Sequence, residues 1–200
     1  MVKKRLSSVL SAIRRGFAVD TFEGGFPLTQ IVKAVGAAST TAVHAAVTLT
    51  TAAQDVTSAI TSPDVYRGVS VSGNQSNVYA NVIVYGTDWA DRPISETILA
   101  SGTTTGFSNQ AFKTVTKIRF PVRTNTGQTV AVGIGTKLGL VRPISATADV
   151  VQIERAASGA TSYTLDGTTG TIDATYGTVI PSGGITAADS FKINFRTTVF

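Results

Sequence analysis

The sequence predicts an all-β protein: a β-sandwich of jelly-roll or Ig-like topology, led by a short basic helical arm. Three observations predict it. Thr and Gly are abundant, and β-branched Thr suits a half-buried pleated surface while Gly supplies turns. Apolar and polar residues alternate with period two from Thr40 onward. Clusters of Gly, Asn, Asp and Pro interrupt that alternation every 8–12 residues or so, the spacing of a sandwich or barrel. A charged share of 14% and a hydrophobic share of 42% describe a packed body and exclude a disordered chain. At 200 residues the chain can bury a core without metal or disulfide. It contains no cysteine, which excludes thiol nucleophiles and thiolate metal sites.

The arm and connector occupy residues 1–38. Over residues 4–15, Leu6, Val9, Leu10 and Ile13 recur at i, i+3, i+4 and i+7, one face of a short helix that stops at Gly16. Lys3, Lys4, Arg5, Arg14 and Arg15 flank this stripe, and residues 1–16 hold no acid. The rest of the chain carries 12 basic and 12 acidic side chains, so the whole net charge of +5 sits in the arm. A helix of about 12 residues is marginal alone and becomes ordered when docked. "LSSVLSAI" is short and runs into Arg14-Arg15, which is unlike a secretory signal. No segment has the roughly 18 apolar residues of a membrane span. In residues 17–38, "EGGFPL" is a turn cluster and "QIVKAVGAAST" is either a short strand or an extended arm.

The sandwich core is expected over 39–144. In "TAVHAAVTLT", Val43, Ala45, Val47 and Leu49 share one face. "VSVSG" and "SNVYANVIVYGTD" read as strands joined by a hairpin loop, "GNQSN". Val78, Ala80, Val82 and Val84 face one way and Tyr79, Asn81, Ile83 and Tyr85 the other, the two-sided apolar pattern of a central strand. "ISETILAS" sets Ile94, Glu96 and Ile98 against Ser95, Thr97 and Leu99. "AFKTVTKIRFPV" reads as one alternating strand, and "TVAVGIGTKLGLVRPI" as another with a glycine-rich second half. Over 145–200, "DVVQIERA", "TSYTLD", "GTIDAT" and "FKINFRTTV" read as four strands that complete the sandwich or form a small second lobe. "DGTTG" between two of them is a hairpin signal.

Candidate chemistry is sparse. His44, the one histidine, lies mid-strand among Ala and Val with no serine in a nucleophile setting, so a structural or surface role outweighs a catalytic one. Asp88, Asp91 and Glu96 are the densest acidic patch. Glycosidases need paired carboxylates, but turn formation explains Asp88 and Asp91 better. "GIGTKLG" lacks the order and the following helix of a phosphate loop, and its glycines read as bulges or close backbone approaches. Neither a cofactor nor a metal is expected.

Residues 40–144 resemble a module of tailed-bacteriophage and prophage structural proteins. The resemblance rests on "VSVSGNQSNVYANVIVYGTD", "PISETILASGTTT", "QAFKTVTKIRFPV" and "VAVGIGTKLGL", in that order. It implies a virion structural protein without enzymatic activity. In first place this is an auxiliary capsid (cement or decoration) protein, with a neck, tail or main coat protein as the alternative. The implied partners are the major capsid protein or other virion proteins and further copies of the chain, possibly as a trimer. Lys3, Lys4, Arg5, Leu6, Leu10, Ile13, Arg14 and Arg15 are the expected docking residues. The arm is also the only expected contact with nucleic acid, and a solvated terminus is its bland alternative. From another class, a carbohydrate-binding β-sandwich would stack sugars on Trp89, Tyr66, Tyr79 or Tyr85.

Overall fold

The computed structural model describes residues 26–166 and 170–197. The predicted helix at 4–15 and every expected docking residue lie outside them. The fold is mostly β. The strands are β1 (Phe26–Val35), β2 (Ser39–Thr48), β3 (Gln54–Val56), β4 (Arg67–Gly73), β5 (Tyr79–Thr87), β6 (Pro93–Ser101) and β7 (Gly106–Phe112). They continue with β8 (Thr114–Phe120), β9 (Thr129–Gly139), β10 (Val150–Ala156), β11 (Thr164–Leu165), β12 (Thr171–Asp173), β13 (Thr178–Ile180) and β14 (Asp189–Thr197). The segment "QIVKAV", open between strand and arm in the sequence, is strand and pairs antiparallel with β14.

The pairing is nested. β5 pairs with β6, β4 with β7, β3 with β8 and β2 with β9, all antiparallel. The chain from β2 to β9 is therefore one long hairpin whose two arms stay side by side. Successive strands along each arm fall in alternate sheets, apart from the β5–β6 tip. β2, β9, β4 and β7 lie in one sheet, and β3, β8, β5 and β6 in another. The arms also touch at the corners: Gly102 N donates to Val78 O at 2.7 Å and Arg123 N to Thr50 O at 2.7 Å.

Three sequence expectations are corrected by this topology. "GNQSN" is not a hairpin loop, because β4 and β5 belong to different sheets and the loop is a corner between them. "AFKTVTKIRFPV" is not one strand: Phe112 ends β7 and Thr114 begins β8 in the other sheet. Gly86 permits that corner, since a Cβ there would stand 1.9 Å from Thr114 O. The strands flanking "DGTTG" do not pair either, for β11 bonds β10 while β12 bonds β13. Turn residues serve a corner as well as a hairpin, so composition alone does not separate the two. The even alternation expected in β2 also fails. Val43 and Leu49 are buried while Ala45 is exposed, because two register shifts interrupt its pairing with β9.

β5 is interior to its sheet, as its pattern predicts. Val78, Ala80, Val82 and Val84 are each 0% exposed. They meet Val69, Val71, Phe112, Ile118, Phe120, Val130 and Val132 in one core shared by the two sheets. A second core joins Val32 and Val35 of β1 to Ile153 of β10, Val179 of β13 and Phe191, Ile193 and Phe195 of β14. β9 belongs to both: Val130, Val132 and Ile134 enter the first core, and Leu138 with the following Leu140 enters the second. Each fully buried Val, Leu or Phe contributes about 1.5–3 kcal/mol by leaving water, so this shared strand ties the two cores together.

β9 changes cores at a bulge. Arg67 lies opposite Leu138 and Val69 opposite Ile134, so β9 has two more residues than β4 across this interval. The bulge turns the Gly135 carbonyl out of the ladder. The fully buried Arg67 guanidinium answers it, with Nε 2.9 Å from Gly135 O and Nη2 also donating there. Nη1 donates to Gly36 O at 2.8 Å and to Asp64 Oδ1 at 3.1 Å. Burial lowers the Arg67 pKa and Asp64 works against that. The glycines of "GIGTKLG" lie in strand, as close approaches: a Cβ at Gly133 would stand 1.8 Å from Ser39 O.

Candidate functional site

A cleft of about 460 Å³ opens where the two cores meet. Five segments build its wall: Tyr66 before β4, Trp89 and Arg92 in the β5–β6 turn, Gln110 in β7, Arg142 after β9, and Tyr176 in the β12–β13 turn. Each has a local reason for its position. Arg67 anchors the start of β4, and Gly139 lets the neighbouring Tyr66 ring pass, since a Cβ there would lie 2.2 Å from that ring. The backbone closes the same contact through Gly139 N and Tyr66 O at 2.9 Å.

Trp89 is held by the turn. Asp88 Oδ1 accepts from Ala90 N at 2.8 Å and Arg92 N at 3.0 Å, and Asp88 Oδ2 pairs with Arg92 Nη2 at 2.7 Å. Burial raises the Asp88 pKa, but the Arg92 and Ala90 donors outweigh it and hold the group below its ordinary value. Asp91 takes the left-handed conformation at φ 61°, which Asp tolerates in turns, and its carboxylate meets Lys113 Nζ at 2.7 Å. Glu96 accepts from the β7 backbone, Asn109 N at 2.7 Å and Gln110 N at 2.9 Å. Each carboxylate of the acidic patch thus holds a turn or a strand edge.

Arg142 differs from Arg92. Its guanidinium lies 4.9 Å from the centre of the Trp89 ring, and it has no carboxylate partner among the described residues. Tyr66 is kept a neutral phenol: burial, then the nearby Asp88 charge, push its pKa up against the Trp89 N–H and Arg92. The cleft therefore offers aromatic faces, neutral hydrogen-bonding groups, one neutralised guanidinium and one free one.

The other sequence candidates lie elsewhere. Tyr79 stands 67% exposed on the outer face of β5. Tyr85, on the same face, is covered by Lys117 Nζ at 4.1 Å from its ring centre. Of the four aromatics proposed for sugar stacking, only Trp89 and Tyr66 line the cleft. His44 packs edge-on to Phe120 and its Nδ1 lies 2.7 Å from Ala45 O. Among the described residues, no three or more His, Asp or Glu gather as metal ligands, and no helix is long and apolar enough to cross a membrane. Sequence reasoning missed Gln110, Arg142 and Tyr176, which nothing in their local sequence singles out. No protein-family model matches the chain, and neither a curated protein nor a solved structure matches it.

Proposed function

We propose that this protein is a structural component of a bacteriophage virion without a catalytic task. In first place it is an auxiliary capsid protein that cements or decorates the head; the alternative is a neck, tail or main coat protein. The observation that carries the reading is the nested pairing of β2 to β9. Eight strands folded as one long hairpin, with alternate strands in two sheets, support a jelly-roll sandwich. That architecture serves viral capsid domains and lectins. Fold alone does not assign function, so the phage-like motifs of residues 40–144 narrow the choice. They fall on β4, β5, β6, the β7–β8 corner and β9.

The outer face of β5 and β6 supports an assembly role. Tyr79 and Leu99 are 67% and 42% exposed there, diagonal neighbours across the pair, above an inner row that already fills the core. Together with the basic arm, such faces supply many weak contacts that sum by multivalency in a symmetric shell. The test is copy number in purified virions, with binding of intact protein and of a variant with Lys3, Lys4, Arg5, Arg14 and Arg15 changed to Gln to empty heads and to DNA. Hundreds of copies, head binding lost with the arm charges and no DNA affinity support cement. About a dozen copies shift the assignment to the neck, and salt-dependent DNA binding shifts it to a coat protein. Absence from the particle refutes the reading.

A further inference from the structure

We propose that the cleft walled by Tyr66, Trp89, Gln110, Arg142 and Tyr176 binds an acidic saccharide, with Arg142 donating to the sugar carboxylate. The inference does not rest on the virion assignment. Its size falls within the small-ligand range of about 300–1,000 Å³, at 460 Å³.

The lining selects the chemistry. Trp89, Tyr66 and Tyr176 give aromatic surface for the C–H faces of a sugar ring, and the Gln110 amide, the tyrosine hydroxyls and Thr175 give neutral partners for its hydroxyls. The charges in the lining are Arg92, Arg142 and Asp88, and Asp88 is taken by Arg92. Arg142 is left with an unspent fork of donors, suited to a carboxylate in two parallel hydrogen bonds. Its stacking on Trp89 at 4.9 Å holds that fork in place before any ligand arrives, which lowers the ordering cost of binding.

An extended acidic peptide fits less well. Peptides bind β-proteins mainly by adding a strand to a free edge. Here β6 and β7 are the edge strands that reach the cleft: β6 enters it at Pro93, which has no N–H to offer, and the N–H groups of Asn109 and Gln110 of β7 are already bonded to Glu96. The other walls are turns, with no ladder to extend.

Trp89 is the only tryptophan in the chain, so its fluorescence reports the cleft alone. The experiment titrates the full-length protein with a panel of acidic oligosaccharides: uronic-acid oligomers of two to four residues and sialylated lactose. The neutral parent sugars and an oligoglutamate peptide run beside them. Saturable change in Trp89 emission is expected for at least one acidic sugar. Its neutral parent, and the R142Q variant, should bind at least tenfold more weakly. R119Q removes the same charge from the outer sheet face and should bind as the unaltered protein does. Calorimetry on the same variants checks the constants, and circular dichroism checks their fold. The proposal is overturned by absence of saturation across the acidic panel to millimolar concentration, by R142Q binding as well as R119Q, or by oligoglutamate binding as tightly as the best sugar.

Discussion

Replacing Arg67 by methionine removes a fully buried guanidinium and keeps most of its volume. The side chain is 0% exposed and serves three acceptors: Gly135 O, Gly36 O and the Asp64 carboxylate. Gly135 is itself buried at the bulge, so its carbonyl loses both of its guanidinium donors at once. An unmade hydrogen bond at a buried carbonyl costs about 1–3 kcal/mol. Removing one partner of a buried ion pair costs about 3–5 kcal/mol when the other charge is stranded. Asp64 is not stranded: its side chain is 32% exposed and also accepts from Gly36 N. The carbonyl term therefore dominates, and R67M should lose about 3 kcal/mol. At about 2–4 °C per kcal/mol for a chain of this size, the melting temperature falls by about 6–12 °C. R67K keeps the charge but not the fork, and should lose about 1–2 kcal/mol. D64N, which leaves the carbonyl bonds intact, should lose about 1 kcal/mol or less. Urea unfolding followed by Trp89 fluorescence and by circular dichroism measures all three. An R67M protein within about 0.5 kcal/mol of the original would refute the reasoning, because the bulge carbonyl would then not depend on Arg67.

Acid should unfold the protein partly through Asp189, which is 0% exposed. Burial raises its pKa, but Thr186 and Arg155 outweigh this and depress it below the unfolded value of about 3.9. Its contribution is therefore complete above that value and lost as pH falls through the folded pKa; D189N should flatten the acid limb of urea midpoint against pH between about pH 5 and 2. Gly133→Ala drives a Cβ to 1.8 Å from Ser39 O and should cost about 3 kcal/mol. Gly184→Ala has open space and only a φ of 70° to resist, so about 1 kcal/mol is expected, and equal losses for the two would refute the close-approach account. Glu96→Ala frees Asn109 N and Gln110 N on the β7 edge, which should cost about 1–2 kcal/mol and promote self-association visible by sedimentation; a monomer of unchanged stability would refute the edge-capping role.

Local pattern was legible and partnership was not. The inward row Val78, Ala80, Val82 and Val84 follows from period two, because a sheet face is a local property of a strand. The glycines of β9 were readable as close approaches, although the identity of what approaches, Ser39 O at one and the Tyr66 ring at another, was not. Turns were located and misassigned: "GNQSN" and "DGTTG" carry turn chemistry, but whether the next strand pairs beside the last or crosses to another sheet depends on distant residues. The β7–β8 corner was hidden for a related reason. Phe112, Ile118 and Phe120 are all buried, as a single alternating strand would have them. The alternation breaks between them, where Val115 is buried and Thr116 exposed at a register shift against β5, and the change of sheet occurs at a single lysine. The cleft was the least legible feature. Its walls come from residues 66, 89, 110, 142 and 176, and only the Asp88 turn that holds Trp89 has a local signature.

The nesting extends beyond the eight-strand hairpin. β1 pairs with β14 outside everything between them, with Phe26 opposite Thr197. The two ends of the described chain therefore lie side by side on one sheet. The same closure makes the outermost pair the most non-local in the fold. Loop-closure entropy favours pairs of short separation first, so β5–β6 is the natural start and β1–β14 the natural end of assembly. The second core, which depends on β1 and β14 together, is then the part that should open at lowest free energy. Hydrogen exchange under native conditions distinguishes this from a uniformly cooperative fold. Amides of β1 and β14 should exchange through a partial opening that leaves β4, β5, β8 and β9 protected, and identical opening energies in both cores would show that β9 couples them into a single unit.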